Sequence, residues 1–258
     1  MRTLFWLFLF LLGLAGVMLP ISYLWLSSKL PTMESEFDIE KQLKHSIEGE
    51  RMSLVSGMYV KPDRPITFNR PDFTRLPKDL VAMYITEMGC PTYFQTPRED
   101  GPKWAWRLFH GALIGGHLEG DGACERLLSL RIARKLGVKE PYQLAVAAHK
   151  IHSFLQKDQL LAYDLAIMQF ERGIVGVEDV SLKVFEKELE KLSLSELAEL
   201  MLILPPYSFY YEMTTCQNAP LIKGNRDSVI ANIANWELIT PEKAKNAIAQ
   251  PVACLSRR

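Results

Sequence analysis

LPKDLVAMYITEMGCP, residues 76–91, decides what kind of fold this chain takes. Leu80, Met83, Tyr84 and Glu87 fall on one stripe at helical spacing, and Val81, Ile85 and Met88 on the next. A helix that is apolar almost all round is a buried helix. Gly89 and Pro91 stop it just past Glu87. Glu87 is thus expected on the apolar stripe of a buried helix, near its C-terminal end. A carboxylate there opposes the helix dipole and loses hydration, and both effects raise its pKa. Such a group is a candidate general base or acid. The plainer alternative is a partly exposed glutamate at a frayed helix end.

Outward from this helix the patterns stay helical. Leu144, Ala148, Ile151 and Leu155 form another stripe. Ser193 and Glu196 have capping-box spacing ahead of Leu194, Leu197, Met201 and Leu204, and Pro205-Pro206 ends that helix. Thr240-Pro241 reads as N-cap and first residue of a helix through Ala244, Ala247 and Ile248. FDIEKQLKHSI (37–47) spaces its apolar residues for a short helix. Between them, residues 52–77 are Pro-rich and hold β-like pieces such as SGMYV (56–60), which suits a stalk or small β element. The expected class is mainly α.

At the start of the chain, residues 3–26 carry no charge and are bounded by Arg2 and Lys29. At ~1.5 Å per residue such a helix reaches about 36 Å, enough to cross a bilayer core with some tilt. A cleaved signal peptide is the weaker reading, because its apolar region is shorter and no clean cleavage pattern follows Ala15. Arg2 precedes the span while Glu34, Glu36, Asp38 and Glu40 follow it, which places the N-terminus in the cytoplasm and the remainder outside; Lys29 works against this. Of the 258 residues, those after the anchor suit one domain, or one domain and a small stalk. Zero net charge gives no nucleic-acid footprint. Four cysteines, Cys90, Cys124, Cys216 and Cys254, allow two disulfides outside the cytoplasm, in any of three pairings. No Cys/His spacing supports zinc, and His110, His117, His149 and His152 form no metal motif. The stretch KWAWRLFHGALIGGH (103–117) mixes aromatics with Arg107, His110 and His117. It reads equally as a membrane-interface segment or as a core helix ending at Gly115-Gly116.

With these pieces in place, the motif order resembles glycosyltransferase family 51, the peptidoglycan glycosyltransferases that include the N-terminal domains of class A penicillin-binding proteins. That family runs from an anchor to a helix ending in a catalytic Glu-Asp, a membrane-seeking segment, a Gly-Gly-Ser-Thr-Ile-Thr-Gln-Gln stretch, a Lys-x-x-Glu helix and a Ser-Lys-Asp-Glu helix. Residues 76–87 match the first helix, with Glu87 on the catalytic glutamate. QKDQLLAYDL (156–165) fits the Ser-Lys-Asp segment, and Gly176, Val177, Glu178 and Phe185 follow in order. LSLSELAELMLILP (192–205), NRDSVI (225–230), ITPE (239–242) and Gln250-Pro251 match the closing helices. The resemblance covers Leu76 to Val252 and implies a lysozyme-like helical glycosyltransferase domain. Its implied division is a cytoplasmic tip and anchor over 1–29, a juxtamembrane stalk over 30–75 and the domain over 76–258. It also implies a single-pass protein of the bacterial inner membrane, with its domain on the periplasmic side.

The departures from the pattern are specific. Met88 replaces the Asp after the catalytic Glu, and DGACERLL (121–128) replaces the Gly-Gly-Ser-Thr stretch. Counting back from Gln156, the second catalytic glutamate falls at Leu144; Glu140 is the nearest acid, four residues out of register. The family joins the sugars of lipid-linked disaccharide pyrophosphates. One glutamate deprotonates the acceptor, and cations stabilise the leaving pyrophosphate with or without a divalent metal; no organic cofactor is implied. Carried over, Glu87 is the base, with Glu125 or Glu140 as a second acid. Arg107, Arg126 and Arg131 are the pyrophosphate groups among several cations that otherwise read as solvated helix faces. In the family the catalytic-glutamate loop and the Gly-Gly-Ser-Thr stretch face each other across the cleft. The resemblance accordingly implies a Cys90–Cys124 disulfide, leaving Cys216 with Cys254. Two functional classes follow: a divergent glycosyltransferase, or an inactive scaffold binding lipid-linked saccharide, membrane or a cell-wall synthesis partner.

Overall fold

The computed structural model describes residues 18, 21–49, 53–55, 58–60, 66–99, 101, 104, 107–108, 122–170, 174–204, 216 and 218–253. In chain order the elements are α1 (Glu36–Glu48), strands β1 (Ser53–Val55) and β2 (Met58–Val60), α2 (Lys78–Glu87), α3 (Ala123–Lys135), α4 (Pro141–Phe154), α5 (Lys157–Ile167), α6 (Val177–Val180), α7 (Leu194–Ile203), α8 (Ala219–Asn235) and α9 (Pro241–Ile248). The class is mainly α, as the periodicity predicts. β1 and β2 pair antiparallel with Leu54 opposite Tyr59, which is the small β element expected of the Pro-rich segment. α1 buries Ile39, Leu43 and Ile47, four residues apart, while Phe37 stays exposed. Ser35 caps α1, its Oγ accepting the Asp38 N–H at 3.2 Å.

The chain forms two compact units, Met1–Gln42 with Glu99–Leu155, and Leu43–Arg98 with Gln156–Arg258. In the first, α3 packs on α4. Leu128, Ile132 and Ala133 are buried on α3; Leu144, Ala148, Ile151 and Leu155 are buried along α4, as their spacing predicts. Residues 21–28 are helical, and the Tyr23 hydroxyl lies 3.1 Å from His149 Nδ1. The anchor expected over residues 3–26 falls mostly outside the described residues. Among the described residues no helix is long and apolar enough to cross a membrane.

In the second unit α2 packs against α7 and α8, and α9 against α8 and α7. Leu80 and Met83, Leu197, Leu200 and Met201, and Ile222, Val229, Ile230 and Ile233 line this core. Each such side chain contributes about 1.5–3 kcal/mol on burial. The predicted caps are present. Ser193 Oγ accepts the Glu196 N–H at 3.3 Å while Glu196 Oε2 accepts the Ser193 N–H at 2.8 Å, closing the capping box of α7. Thr240 Oγ1 accepts the Lys243 N–H at 3.2 Å at the start of α9.

A buried polar knot joins α7, α8 and the segment after α9. Arg226, wholly buried, donates to Ser195 Oγ at 2.9 Å, to Asp227 Oδ1 at 2.9 and 2.7 Å, and to the carbonyls of Ile248, Gln250 and Pro251 at 3.1, 2.9 and 3.2 Å. Its Nη1 also lies 3.3 Å from Glu199 Oε1, itself wholly buried. Both Glu199 oxygens accept the Ala253 N–H, at 3.2 and 2.9 Å. Burial pushes the Glu199 carboxyl up to about 7 against the opposite pull of the Ala253 amide and Arg226. The folded state then holds a proton that the unfolded chain releases near 4.5. This contribution is fully present below the unfolded value and is lost as pH rises through about 7. Unfolding free energies from urea titrations at pH 5 to 8 are expected to decline across that window, by at most about 1.4 kcal/mol per pH unit, and the decline to flatten in Glu199→Gln. An unchanged slope in the variant rules out Glu199 as the source.

Candidate active site

Glu87 is the last residue of α2. The six buried residues Leu80, Val81, Met83, Tyr84, Ile85 and Thr86 precede it, and Glu87 itself is half-buried at the rim. The chain turns sharply at this point. Gly89, at φ +75°, donates its N–H to Thr86 O at 2.9 Å, and the Cys90 N–H reaches Ile85 O at 2.7 Å. These two bonds form a Schellman cap, which needs the left-handed backbone that glycine adopts without strain. The helix is held at both ends. Asp79 makes a two-oxygen ion pair with Lys243 at 2.8 and 2.7 Å, and Tyr84 donates its hydroxyl to buried Asp164 on α5. Glu87 Oε1 accepts from Asn232 Nδ2 of α8 at 3.2 Å. This places a carboxylate with a fixed bearing at the edge of the second unit.

Lys157 is one fastening of the loop after Glu87. Lys157, at the start of α5, donates to the carbonyls of Tyr93 at 2.6 Å and Thr96 at 2.5 Å, and its ammonium sits 5.0 Å from the Tyr93 ring centre. The Tyr93 hydroxyl returns a bond to Lys157 O at 3.0 Å, and Arg98 donates to Gln156 Oε1 at 3.0 Å. The QKD signature thereby has a structural role at its lysine: it organises the segment that follows Glu87.

The first unit gathers a separate set of charges. Glu99 bridges two arginines, its Oε2 2.7 Å from Arg126 Nη1 and its Oε1 2.9 Å from Arg107 Nη1. Arg126 is buried, Arg107 is about one-third exposed, and Glu99 is 11% exposed. Burial lowers the Arg126 pKa, while Glu99 pulls it upward. Gly122, the N-cap of α3 at φ +70°, leaves a recess in this cluster. A Cβ there would meet Glu99 Oε2 at 2.9 Å and Glu125 Oε2 at 3.1 Å. His152 Nε2 lies 3.1 Å from Glu99 O, and its ring stacks on Trp104 at 4.2 Å.

The sequence candidates thus occupy different settings. Glu125 is buried in the first turn of α3. Arg126 and Arg107 share Glu99, and Arg131 is half-exposed on α3. Glu140 is the exposed N-cap of α4, and Leu144 lies in the core at 8% exposure. Of residues 103–117, Trp104 and Leu108 are buried, which fits the core reading at those positions; His110 and His117 lie outside the described residues. Cys90, Cys124 and Cys216 are each disulfide-bonded, and Cys254 lies outside the described residues. Glu99 is the functional candidate that sequence reasoning missed, since no spacing rule ties it to Arg107 or Arg126.

Residues 126–234 match the transglycosylase family model, and the chain resembles the peptidoglycan glycosyltransferases, as its motif order indicates. Over 131 residues it is 28% identical to the penicillin-binding protein 1A of Rickettsia bellii (strain RML369-C), and equally to those of Rickettsia felis and Rickettsia conorii. The matched part is 51% of this chain and 16% of each of those proteins. Arg126, Arg131 and Glu140 fall inside the family-matched residues; Glu87, Arg107 and Glu125 precede them.

Proposed function

We propose that this chain is a divergent, peptidoglycan glycosyltransferase-like protein that acts on or binds lipid-linked disaccharide precursor during cell-wall assembly. The observation that carries the reading is the transglycosylase match over residues 126–234, which falls within the motif series running from Leu76 to Val252. In this reading residues 1–29 are the cytoplasmic tip and inner-membrane anchor, 30–75 the juxtamembrane segment, and 76–258 a lysozyme-like domain on the periplasmic side. Glu87 takes the acceptor proton, with Glu125 or Glu140 as a further acid. Arg107, Arg126 and Arg131 face the departing pyrophosphate.

A second reading, an inactive scaffold that holds lipid-linked precursor or a synthesis partner, is favoured by Leu144. This buried leucine stands where the family pattern places its second glutamate. Incubating the full chain with labelled lipid-linked disaccharide separates the two. Polymer made by the wild type and lost in Glu87→Gln supports the enzyme. Binding without turnover in both supports the scaffold, and neither binding nor turnover overturns both readings. The proposed disulfides are Cys90–Cys124 and Cys216–Cys254, each worth about 2–4 kcal/mol. Peptide mapping of the unreduced chain is expected to recover those two linked pairs; a Cys90 peptide joined to any other cysteine refutes the assignment.

A further inference from the structure

The charges around Glu99 have the form of an occupied anion site. One carboxylate spans two guanidiniums, each through a different oxygen, at 2.7 and 2.9 Å. Charge-assisted contacts of this kind are the ones proteins use to hold phosphate groups. The recess that admits the carboxylate exists because residue 122 has no side chain, and it opens at the N-cap of α3. The dipole of that 13-residue helix favours an anion at the same point. The anion found there is supplied by the chain itself.

We propose that Glu99 is a stand-in for a ligand phosphate: it closes a pyrophosphate-binding site made by Arg107, Arg126 and the start of α3, and a pyrophosphate-bearing ligand binds by displacing it. The proposal rests on the reading of those two arginines as the pyrophosphate groups, and adds that the site is self-blocked at rest. Glu99 already answers both guanidiniums, so an outside anion must displace it to reach them. Glu125 approaches the same recess, its Oε2 and the Glu99 Oε2 lying within about 6 Å of each other, and like charges so close oppose one another. A singly charged carboxylate on a short tether suits that setting better than a free, multiply charged phosphate. The lipid pyrophosphate of a membrane-borne donor and free pyrophosphate share the chemistry that the two guanidiniums recognise.

Calorimetric titration of the full chain in detergent tests this with inorganic pyrophosphate in one arm and a polyprenyl pyrophosphate in the other. Glu99→Gln is expected to bind about tenfold tighter than wild type, as follows when the competent site is open about a tenth of the time. Glu99→Asp keeps the charge but shortens the reach by one methylene, and it too is expected to bind tighter. Adding Arg126→Met to either variant is expected to abolish the gain. Gain in the polyprenyl arm alone assigns the site to lipid-borne donor, and gain in the free arm alone to soluble pyrophosphate. A gain in Glu99→Gln without one in Glu99→Asp reflects charge removal only and overturns the proposal, as does equal affinity in all forms. Should Glu99→Gln not fold, Glu99→Asp decides. Polymer synthesis by the wild type is read separately, so loss of this inference leaves the glycosyltransferase reading standing, and the reverse.

Discussion

Arg226→Met is expected to destabilise the protein by about 3–5 kcal/mol, the range for breaking a buried ion pair by removing one partner. The side chain is wholly buried and holds Ser195, Glu199, Asp227 and three carbonyls at and just after the end of α9. Methionine fills much of the volume but donates nothing, so those acceptors lose a buried partner at once. In a chain of this size the loss corresponds to a Tm lower by about 10 °C. Arg226→Lys is expected to recover only part of it, because a single ammonium cannot present the planar fork that reaches Asp227 and the carbonyls together. The penalty is expected to be larger at pH 8 than at pH 6, since Glu199 takes a proton below about 7 and then needs its cation less. A melting temperature within about 2 °C of wild type at both pH values refutes this account.

Under the proposed glycosyltransferase reading, Glu87→Gln is expected to lower polymer formation by about 10²–10⁴-fold, the usual worth of a positioned general base, while leaving the melting temperature near that of wild type. The asymmetry follows from where the side chain sits. Glu87 is half-buried at the rim, and glutamine keeps an acceptor oxygen toward Asn232. Its position comes from the Schellman cap and the two anchors of α2, none of which uses the carboxylate. What the substitution removes is the ability to take a proton. The loss should fall on kcat rather than KM, as for an interaction made in the transition state. Equal losses of activity and folded protein point to structure; undiminished polymer excludes Glu87 as the base.

Much of the second unit was legible because its signals are local. The α2 pattern, its stop at Gly89, the Ser193–Glu196 box and the Thr240-Pro241 start each lie within a few residues, and each is present as read. Glu87 could be placed at a helix end for the same reason, and the partly exposed alternative is the one found, because the apolar stripe stays buried through Thr86 and reaches the rim at Glu87. The charge cluster of the first unit was not legible. Arg126 and Glu99 are 27 positions apart, and a loop acid carries no periodicity to say which cation it will meet. Glu125, which the resemblance offers as a further acid, is 1% exposed, and no signal in its neighbours marks that burial. Arg226 looked like one piece of a closing motif, while its partners come from three separate stretches of the chain.

The Lys157 clasp carries a consequence for the segment beyond α2. Both carbonyls, of Tyr93 and Thr96, answer to one amine, so those two attachments stand or fall together. Covalent neutralisation of that amine, by acylation for instance, would release those two points together, while the bonds made by Cys90, the Tyr93 hydroxyl and Arg98 would still tether the segment.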